Sequence, residues 1–486
     1  VLLAACGGTA AGGNASTTTM SSAHSPPRGI VRIALVGDVM LGRGVAPVIE
    51  ADGDSAFEGV RHLLSEADIA GANLESPLTT RPHVSNNVNA LEADPRYVSV
   101  LAGAGFDVMA LPNNHTMDAG AEGLLDTIGA LDGAGIAHIG ADADNAAEPL
   151  IVEEDGLTVG FLAFDTTGVG PTAGADPGVM RWEGDTSLDQ VRAVRGNVDV
   201  LVVSIDGGTE YLPVNDPGLA AIAVQLAAVG VDVVWGHGAH VVQPVSVSAG
   251  TRPTVVSTSL GNFLFDQAGT DRTTGYVLEV MAGSAGVVAY RVAVTEHPDR
   301  RVVFDEWLDP AGDAVWMDGA WWTLTVQPVT SPTTSVSVDA FRHGDLVAAA
   351  HGDINGDGTD DVVASFRRPY EPTPFIETHP EVQWQDAVGR SAHLGVYRPD
   401  GLEEVWVAGT VMQPVAGLEV CDGSLALVHD RLDDPMVVAA GAWQWNGFGF
   451  TTAPAIPGPG TPACADVDGD GRTEPVILDR YPGHSR

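Results

Sequence analysis

Leu111–Gly120 reads LPNNHTMDAG, and the rest of the chain is read outward from it. It follows FDVMAL (Phe106–Leu111), an apolar run that reads as a buried strand. It precedes Glu122–Leu131, which reads as a helix. The polar group Asn113, Asn114 and His115 falls where the strand should stop. Strand, polar turn, helix is the arrangement by which open α/β sheets hold ligands at the carboxyl ends of their strands. An amide oxygen beside an imidazole suits a divalent metal, or a phosphoryl oxygen that must be held and protonated. Alone, the stretch reads equally well as a turn built on an Asx motif. What separates the two is whether other strands end in the same way.

They do. Ile30–Leu41 (IVRIALVGDVML) is an apolar strand that runs into Asp38, and Ala67–Thr80 is a second that ends at Asn73 and Glu75. Val198–Asp206 ends in Asp206, and Val231–His240 in His237 and His240. Further strands are expected at Ile136–Ala141, Leu157–Phe164 and Thr254–Gln267, with helices at Phe57–Ser65, Pro95–Ala104 and Leu219–Val229. Near-continuous Val, Ile and Leu runs alternating with helices predict a layered α/β domain ending near residue 310. Carboxylate, amide and imidazole groups from separate loops are how a dinuclear metal site is assembled. Taken singly, Asp38 also suits a helix cap, Glu75 a solvated turn, and the two histidines the flanks of a turn.

At 486 residues two or three domains are expected. The net charge is −41, from 64 acidic and 23 basic residues, and every one of the latter is an arginine. Such a charge disfavours nucleic acid and anionic lipid surfaces and is compatible with bound cations. The Ala, Gly, Val and Asp richness without lysine fits either a GC-rich genome or salt adaptation.

Leu3-Ala4-Ala5-Cys6 followed by Gly7-Gly8 resembles a bacterial lipobox, with Cys6 as the lipidated residue. Residues 1–28 then read as a signal remnant and flexible tether, which implies a lipid anchor and a place on the outer face of the cell membrane. No other stretch is long and apolar enough to span a bilayer. Cys421 and Cys464 are free to pair in an oxidising compartment.

Residues 311–334, rich in Trp, Thr and Pro, read as a connector. From 335 to 486 short strands with Gly/Asp turns take over. His351–Ser365 (HGDINGDGTDDVVAS) and Cys464–Leu478 (CADVDGDGRTEPVIL) are near copies, which predicts a small β repeat domain, partly propeller-like. Asp353, Asn355, Asp357 and Asp361 place oxygens at alternating positions, and Asp466, Asp468, Asp470 and Glu474 repeat the pattern. Calcium prefers this oxygen-rich geometry, and an acidic turn without an ion is the alternative. The loops also resemble the calcium loops of integrin-type FG-GAP/VCBS repeats.

GDVMLGR (Gly37–Arg43), ANLESPLT (Ala72–Thr79), LPNNHTMD (Leu111–Asp118), GHGAHVVQPV (Gly236–Val245) and SLGNFLFDQ (Ser259–Gln267) together resemble the CapA family of bacterial capsule-synthesis proteins, linked to poly-γ-glutamate. That family is similar to calcineurin-like metallophosphoesterases. The resemblance implies a four-layer α/β/β/α domain over 29–310 with a divalent metal centre of manganese, magnesium, iron or zinc. Its ligands would be Asp38, Asn73 or Glu75, Asn114, His237 and His240. His115 would be the general acid, with Asp206 as a further catalytic group. It also implies work on an extracellular anionic polymer or beside its synthesis machinery. The chain departs from the pattern at three places. Met40 stands where the phosphoesterases have histidine, Asp206 where the family commonly has histidine, and Gly238-Ala239-His240 where it commonly has His-Pro-His. Asp206 favours the harder manganese or magnesium. Two functions stay open: a metal-dependent phosphoesterase-like hydrolase, or a non-catalytic polymer-binding or adhesion protein that keeps the fold.

Overall fold

The computed structural model describes residues 29–84, 91–142, 148–169, 177–248, 252–308, 313–317, 320–325, 341, 343–369, 390–399, 402–407, 415–429, 439–445, 450–452, 456–457, 461–465 and 472–480. The first half of the chain runs β1 (Val31–Val39), α1 (Ala46–Asp52), α2 (Arg61–Ser65), β2 (Ile69–Leu74), α3 (Val98–Ala104), β3 (Val108–Ala110), α4 (Gly120–Ala134) and β4 (Ala137–Ile139). It continues through β5 (Ala141–Asp142), β6 (Leu150–Glu154), β7 (Leu157–Asp165), β8 (Gly178–Val179), α5 (Asp185–Arg195), β9 (Val200–Asp206), α6 (Pro217–Ala228) and β10 (Val233–His237). Next come β11 (Ser246–Ser248), β12 (Thr254–Ser257), β13 (Asn262–Leu264), β14 (Thr274–Gly283), β15 (Gly286–Glu296), β16 (Val303–Trp307), β17 (Asp313–Met317) and β18 (Ala320–Leu324). Among the described residues no helix is long and apolar enough to cross a membrane.

Two sheets carry the α/β part. In the larger, β1, β2, β3 and β4 lie parallel in that order, and the long hairpin β14–β15 extends the sheet beyond β1 in antiparallel sense. In the second, β12, β10, β9 and β7 are parallel, with β11 and β6 as antiparallel edges. Every residue of β1, β9 and β10 is buried, which is why their sequences are mostly apolar runs rather than alternations.

Alternate residues of one strand serve different cores, as the two-residue period of a strand requires. Ala34 and Val36 of β1 pack with Leu63, Leu101, Leu124 and Leu131 of the helices. Ile33 and Leu35 face the second sheet, meeting Phe161, Val202, Val233 and Trp235. On the far side of that sheet Leu162, Val203 and Val234 pack with Leu188 and Val191 of α5 and Leu226 of α6. Local signals set the helix ends. Asp216 caps α6 by accepting from the backbone N–H of Gly218 and Leu219, with Pro217 at the first helical position. α4 stops at Gly135, whose φ of +74° is left-handed.

The expected strands and helices of 30–267 are present, most of them shorter than read. Phe57–Ser65 keeps only the short α2 as α-helix. The sequence reading passed over α5 and the β14–β15 hairpin. The connector read at 311–334 contains two strands instead. β18 pairs with β15 and β17 pairs with Glu474–Arg480, so this stretch extends the large sheet. Trp322 of β18 is wholly buried with Arg291 stacked 4.4 Å from its ring.

Beyond residue 335 the regular elements among the described residues are all strands. Asp345–Gly352, Asp361–Pro369, Arg390–Tyr397 and Glu404–Val407 form one antiparallel sheet. Val415–Cys421, Ser424–His429 and Ala439–Trp445 lead a second. Thr461–Ala465 and Glu474–Arg480 join the large sheet, and a disulfide links Cys421 to Cys464. The chain is thus an α/β domain followed by a β-rich region.

Candidate metal centre

Six acidic, amide and imidazole side chains converge where the two sheets meet at their carboxyl ends. Asp38 comes from β1, Asn73 from β2, and Glu75 directly follows β2. Asp206 and His237 are register partners at the ends of β9 and β10, and His240 follows three residues on. All six are buried.

Glycine brings the strand ends together. A Cβ on Gly37 would lie 1.9 Å from the carbonyl oxygen of Gly261, and one on Gly236 would lie 2.4 Å from that of Thr258. Gly37 precedes Asp38, Gly236 precedes His237, and Gly261 precedes Asn262. The backbones therefore approach closely next to each polar group.

Asp38, Glu75 and His240 offer ligand atoms that all lie within 4.8 Å of one another. His240 Nδ1 lies 3.1 Å from Asp38 Oδ2 and 3.0 Å from Asn262 Oδ1, while its Nε2 lies 3.6 Å from Glu75 Oε1. Asn73 Nδ2 donates to Asp38 Oδ1 at 2.9 Å. His237 Nδ1 is 3.9 Å from Asp38 Oδ1, and its Nε2 is 3.1 Å from Ser204 Oγ. His240 itself has φ +58°, a left-handed backbone uncommon outside glycine. Arg43 and Tyr211 share that feature, at φ +41° and +62°.

The Leu111–Gly120 turn supplies a second group of contacts. Asn113, not singled out as a ligand from sequence, donates from Nδ2 to Asn73 Oδ1 at 3.0 Å and to the Leu74 carbonyl. Its Oδ1 accepts from the backbone N–H of His115 and Thr116, the Asx motif that the sequence allowed. Asn114 is half-buried beside it. His115 Nδ1 meets Asp118 Oδ2 at 2.8 Å, which orients the ring. Sequence reading also missed Asn262, although the glycine before it repeats the pattern of Gly37-Asp38 and Gly236-His237.

The electrostatics ask for a cation. Burial, then the neighbouring Asp38, pushes Glu75 up to about 8. Burial, then Glu75 and Asp38, raises Asp206 well above the ordinary carboxylate range. Burial drives His237 down to about 4, against the pull of Asp38. Burial also disfavours the charged form of His240, but Glu75 and the hydrogen bond to Asp38 outweigh it and hold His240 up at about 10. Asp38 is lowered: burial opposes its ionisation, and the contacts with His240 prevail. Both carboxylate oxygens of Asp206, Glu75 Oε2 and His237 Nδ1 are buried without a hydrogen-bond partner. Buried acceptors without partners are costly unless a cation or protons satisfy them. Oxygen and imidazole donors of this kind suit a divalent metal.

Of the first calcium-type loop, Asp353 accepts from the backbone N–H of Gly356 and Gly358, and Asn355 Nδ2 donates to Asp361 Oδ2 at 2.8 Å. Asp361 is wholly buried and its Oδ1 lacks a hydrogen-bond partner. Asp466, Asp468 and Asp470 of the second loop, and Cys6, lie outside the described residues. Glu474 is described only as the first residue of its strand.

Residues 32–267 match the family model for bacterial capsule synthesis protein PGA_cap. The chain is 32% identical over 251 residues to the PGA biosynthesis protein CapA of Bacillus subtilis, a match covering 50% of this chain and 65% of the relative. It is 32% identical over 252 residues to the capsule biosynthesis protein CapA of Bacillus anthracis, covering 49% and 60%. It is 29% identical over 271 residues to a probable polyglutamine synthesis accessory protein of Mycobacterium tuberculosis, covering 46% and 71%. The chain thus spans less of the two Bacillus relatives (65% and 60%) than of the mycobacterial one.

Proposed function

Because the chain belongs, through residues 32–267, to the CapA family of bacterial capsule synthesis proteins, we propose that it serves in making, exporting or anchoring an extracellular anionic polymer of the poly-γ-glutamate or capsule type. The observation that carries the reading is the buried Asp38–Glu75–His240 triad with orphaned acceptors around it. In this reading Asp38, Glu75 and His240 hold a divalent metal, with Asn73, Asn114, Asp206 and His237 as further ligands or catalytic partners. Bound there, the metal would supply Lewis-acid polarisation of a phosphoryl or carbonyl oxygen. Asn73 orients the Asp38 carboxylate through its amide. His115, held by Asp118, is the general acid that protonates a leaving oxygen. The three successive apolar clusters support a four-layer α/β/β/α domain of the metallophosphoesterase kind.

The wider proposal keeps a lipid on Cys6, a site of work on the outer face of the membrane, and the polymer or its synthesis machinery as partner. The β-rich region would bind calcium through Asp353, Asn355, Asp357 and Asp361, and through the second loop. The buried Asp361 Oδ1, which has no hydrogen bond and only a 3.8 Å ion pair with Arg398, supports this. A partly propeller-like arrangement of that region is part of the same proposal.

One observation favours the non-catalytic alternative. Met40 is wholly buried among apolar side chains, so the position where phosphoesterases have histidine offers no hard ligand here. The test is hydrolysis of bis(p-nitrophenyl) phosphate by the full chain with manganese, magnesium or zinc. The reading expects metal-dependent turnover that His115→Ala removes while bound metal is retained. Stoichiometric metal with no turnover on phosphodiester or polymer would leave the binding role.

A further inference from the structure

The mouth of the centre carries a cation that the metal chemistry does not use. In a chain of charge −41, Arg272 stands over the Tyr211 ring beside Asp271. Its guanidinium stacks 5.3 Å from the centroid of the Tyr211 ring, which lies 6.1 Å from the His240 ring. Arg272 Nε is buried and makes no hydrogen bond; Asp271 Oδ1 is 3.7 Å away, beyond hydrogen-bond length. The Arg272 side chain is nonetheless 39% exposed, so one face meets solvent.

This pair is built rather than loose. Tyr211 donates its backbone N–H to the Ala239 carbonyl at 2.7 Å, and its hydroxyl accepts from Gln267 Nε2 at 3.3 Å. Asn262, which touches His240, also donates to the Arg272 carbonyl at 3.0 Å. The segment bearing Arg272 is thus fixed to the same residue that touches the triad. A planar guanidinium on an aromatic face, partly exposed and ion-paired only at a length beyond a hydrogen bond, is an arrangement for holding a carboxylate by charge-assisted hydrogen bonds.

We propose that Arg272, stacked on Tyr211, anchors a carboxylate of the polymer next to the segment that enters the metal centre, a reading that rests on the function proposed above. A carboxylate is favoured over a phosphate by the surroundings. Asp271 lies 3.7 Å from Arg272 and Glu210 acts on the Tyr211 beneath it, and a phosphate monoester brings nearly twice the charge against them.

The test is fluorescence polarisation of a labelled γ-linked glutamate decamer with the full chain in excess chelator, so that no metal step enters. The wild type should bind with an affinity that falls as salt rises. Arg272→Gln should weaken binding roughly tenfold, and Arg272→Lys should recover part of the loss. Arg192→Gln, on α5 and paired with Asp189, should bind as wild type. Matching thermal melts of the variants exclude misfolding. Wild-type binding that Arg272→Gln leaves unchanged, or that Arg192→Gln weakens equally, overturns the anchor while leaving the polymer role standing. Failure of the wild type to bind overturns both. Tighter, Arg272-dependent binding of a phosphate decamer overturns the choice of carboxylate.

Discussion

The indole Nε1 of Trp235 donates to the carbonyl of Val36 at 2.8 Å, joining the two sheets across their shared core. Val36 lies two residues before Asp38, and Trp235 two before His237, so the bond sits directly beneath the metal centre. Trp235→Phe keeps an aromatic ring but leaves a buried carbonyl unpaired. The expected cost is about 1–3 kcal/mol of stability, together with weaker metal binding. Thermal melts and metal titration of the variant check both, and a variant matching the wild type in both would show that the bond does not align the halves.

Metal uptake should be strongly pH-dependent. Without metal, the coupled Glu75–His240 pair, at about 8 and about 10, retains protons at pH 7 that ligation must displace. Affinity should therefore rise from pH 6 to 9, by up to about tenfold per pH unit for each proton released. Calorimetry in buffers of different ionisation enthalpy counts those protons. Asp38→Asn should lose most of the bound metal at every pH.

The metal-free protein should behave oppositely toward pH at Glu75. Its folded pKa of about 8 lies above the ordinary 4.5, so between these values the folded chain keeps a proton that the unfolded chain has released. Stability from this residue is whole below pH 4.5 and declines up to pH 8. Glu75→Gln should remove that decline and raise metal-free stability at pH 8 by an amount on the order of a few kcal/mol. Melts in chelator at pH 5 and pH 8 provide the comparison, with a gain expected only at the higher pH.

Reduction of Cys421–Cys464 should destabilise the β-rich region. The bond closes a loop with a sequence separation of 43, and losing such a constraint costs about 2–4 kcal/mol. Melting with and without reductant, and of Cys421→Ser, checks it. An unchanged transition would mean that the strands on either side hold without the bond.

The site was legible in sequence where chemistry and strand ends coincide. Asp38, Glu75 and His240 each follow a buried apolar run, and that coincidence marked them. Asn262 was not marked, because it falls inside a segment read as one strand, Thr254–Gln267, that is broken in two at Thr258–Gly261. Asn113 and Asn114 are indistinguishable by residue type, and only the turn geometry makes Asn113 the one that reaches Asn73. The strands β17 and β18 were missed because their Trp- and Thr-rich stretch was read as a connector; they pair with each other as a hairpin, while the partner on the other side of β17, Glu474–Arg480, lies far along the chain and leaves no trace in local sequence.

That distance shapes how the protein is made. Asp313 of β17 pairs with Arg480, so one end of the large sheet is laid down by the last strands. As the chain leaves the ribosome, the metal centre's strands are complete by residue 267, but the sheet they belong to keeps an open edge until about two hundred more residues have followed. During that interval the outer edge of β17 offers unpaired backbone to any passing strand. The strands that finally cover this edge act as a closing clasp, added long after the strands they close.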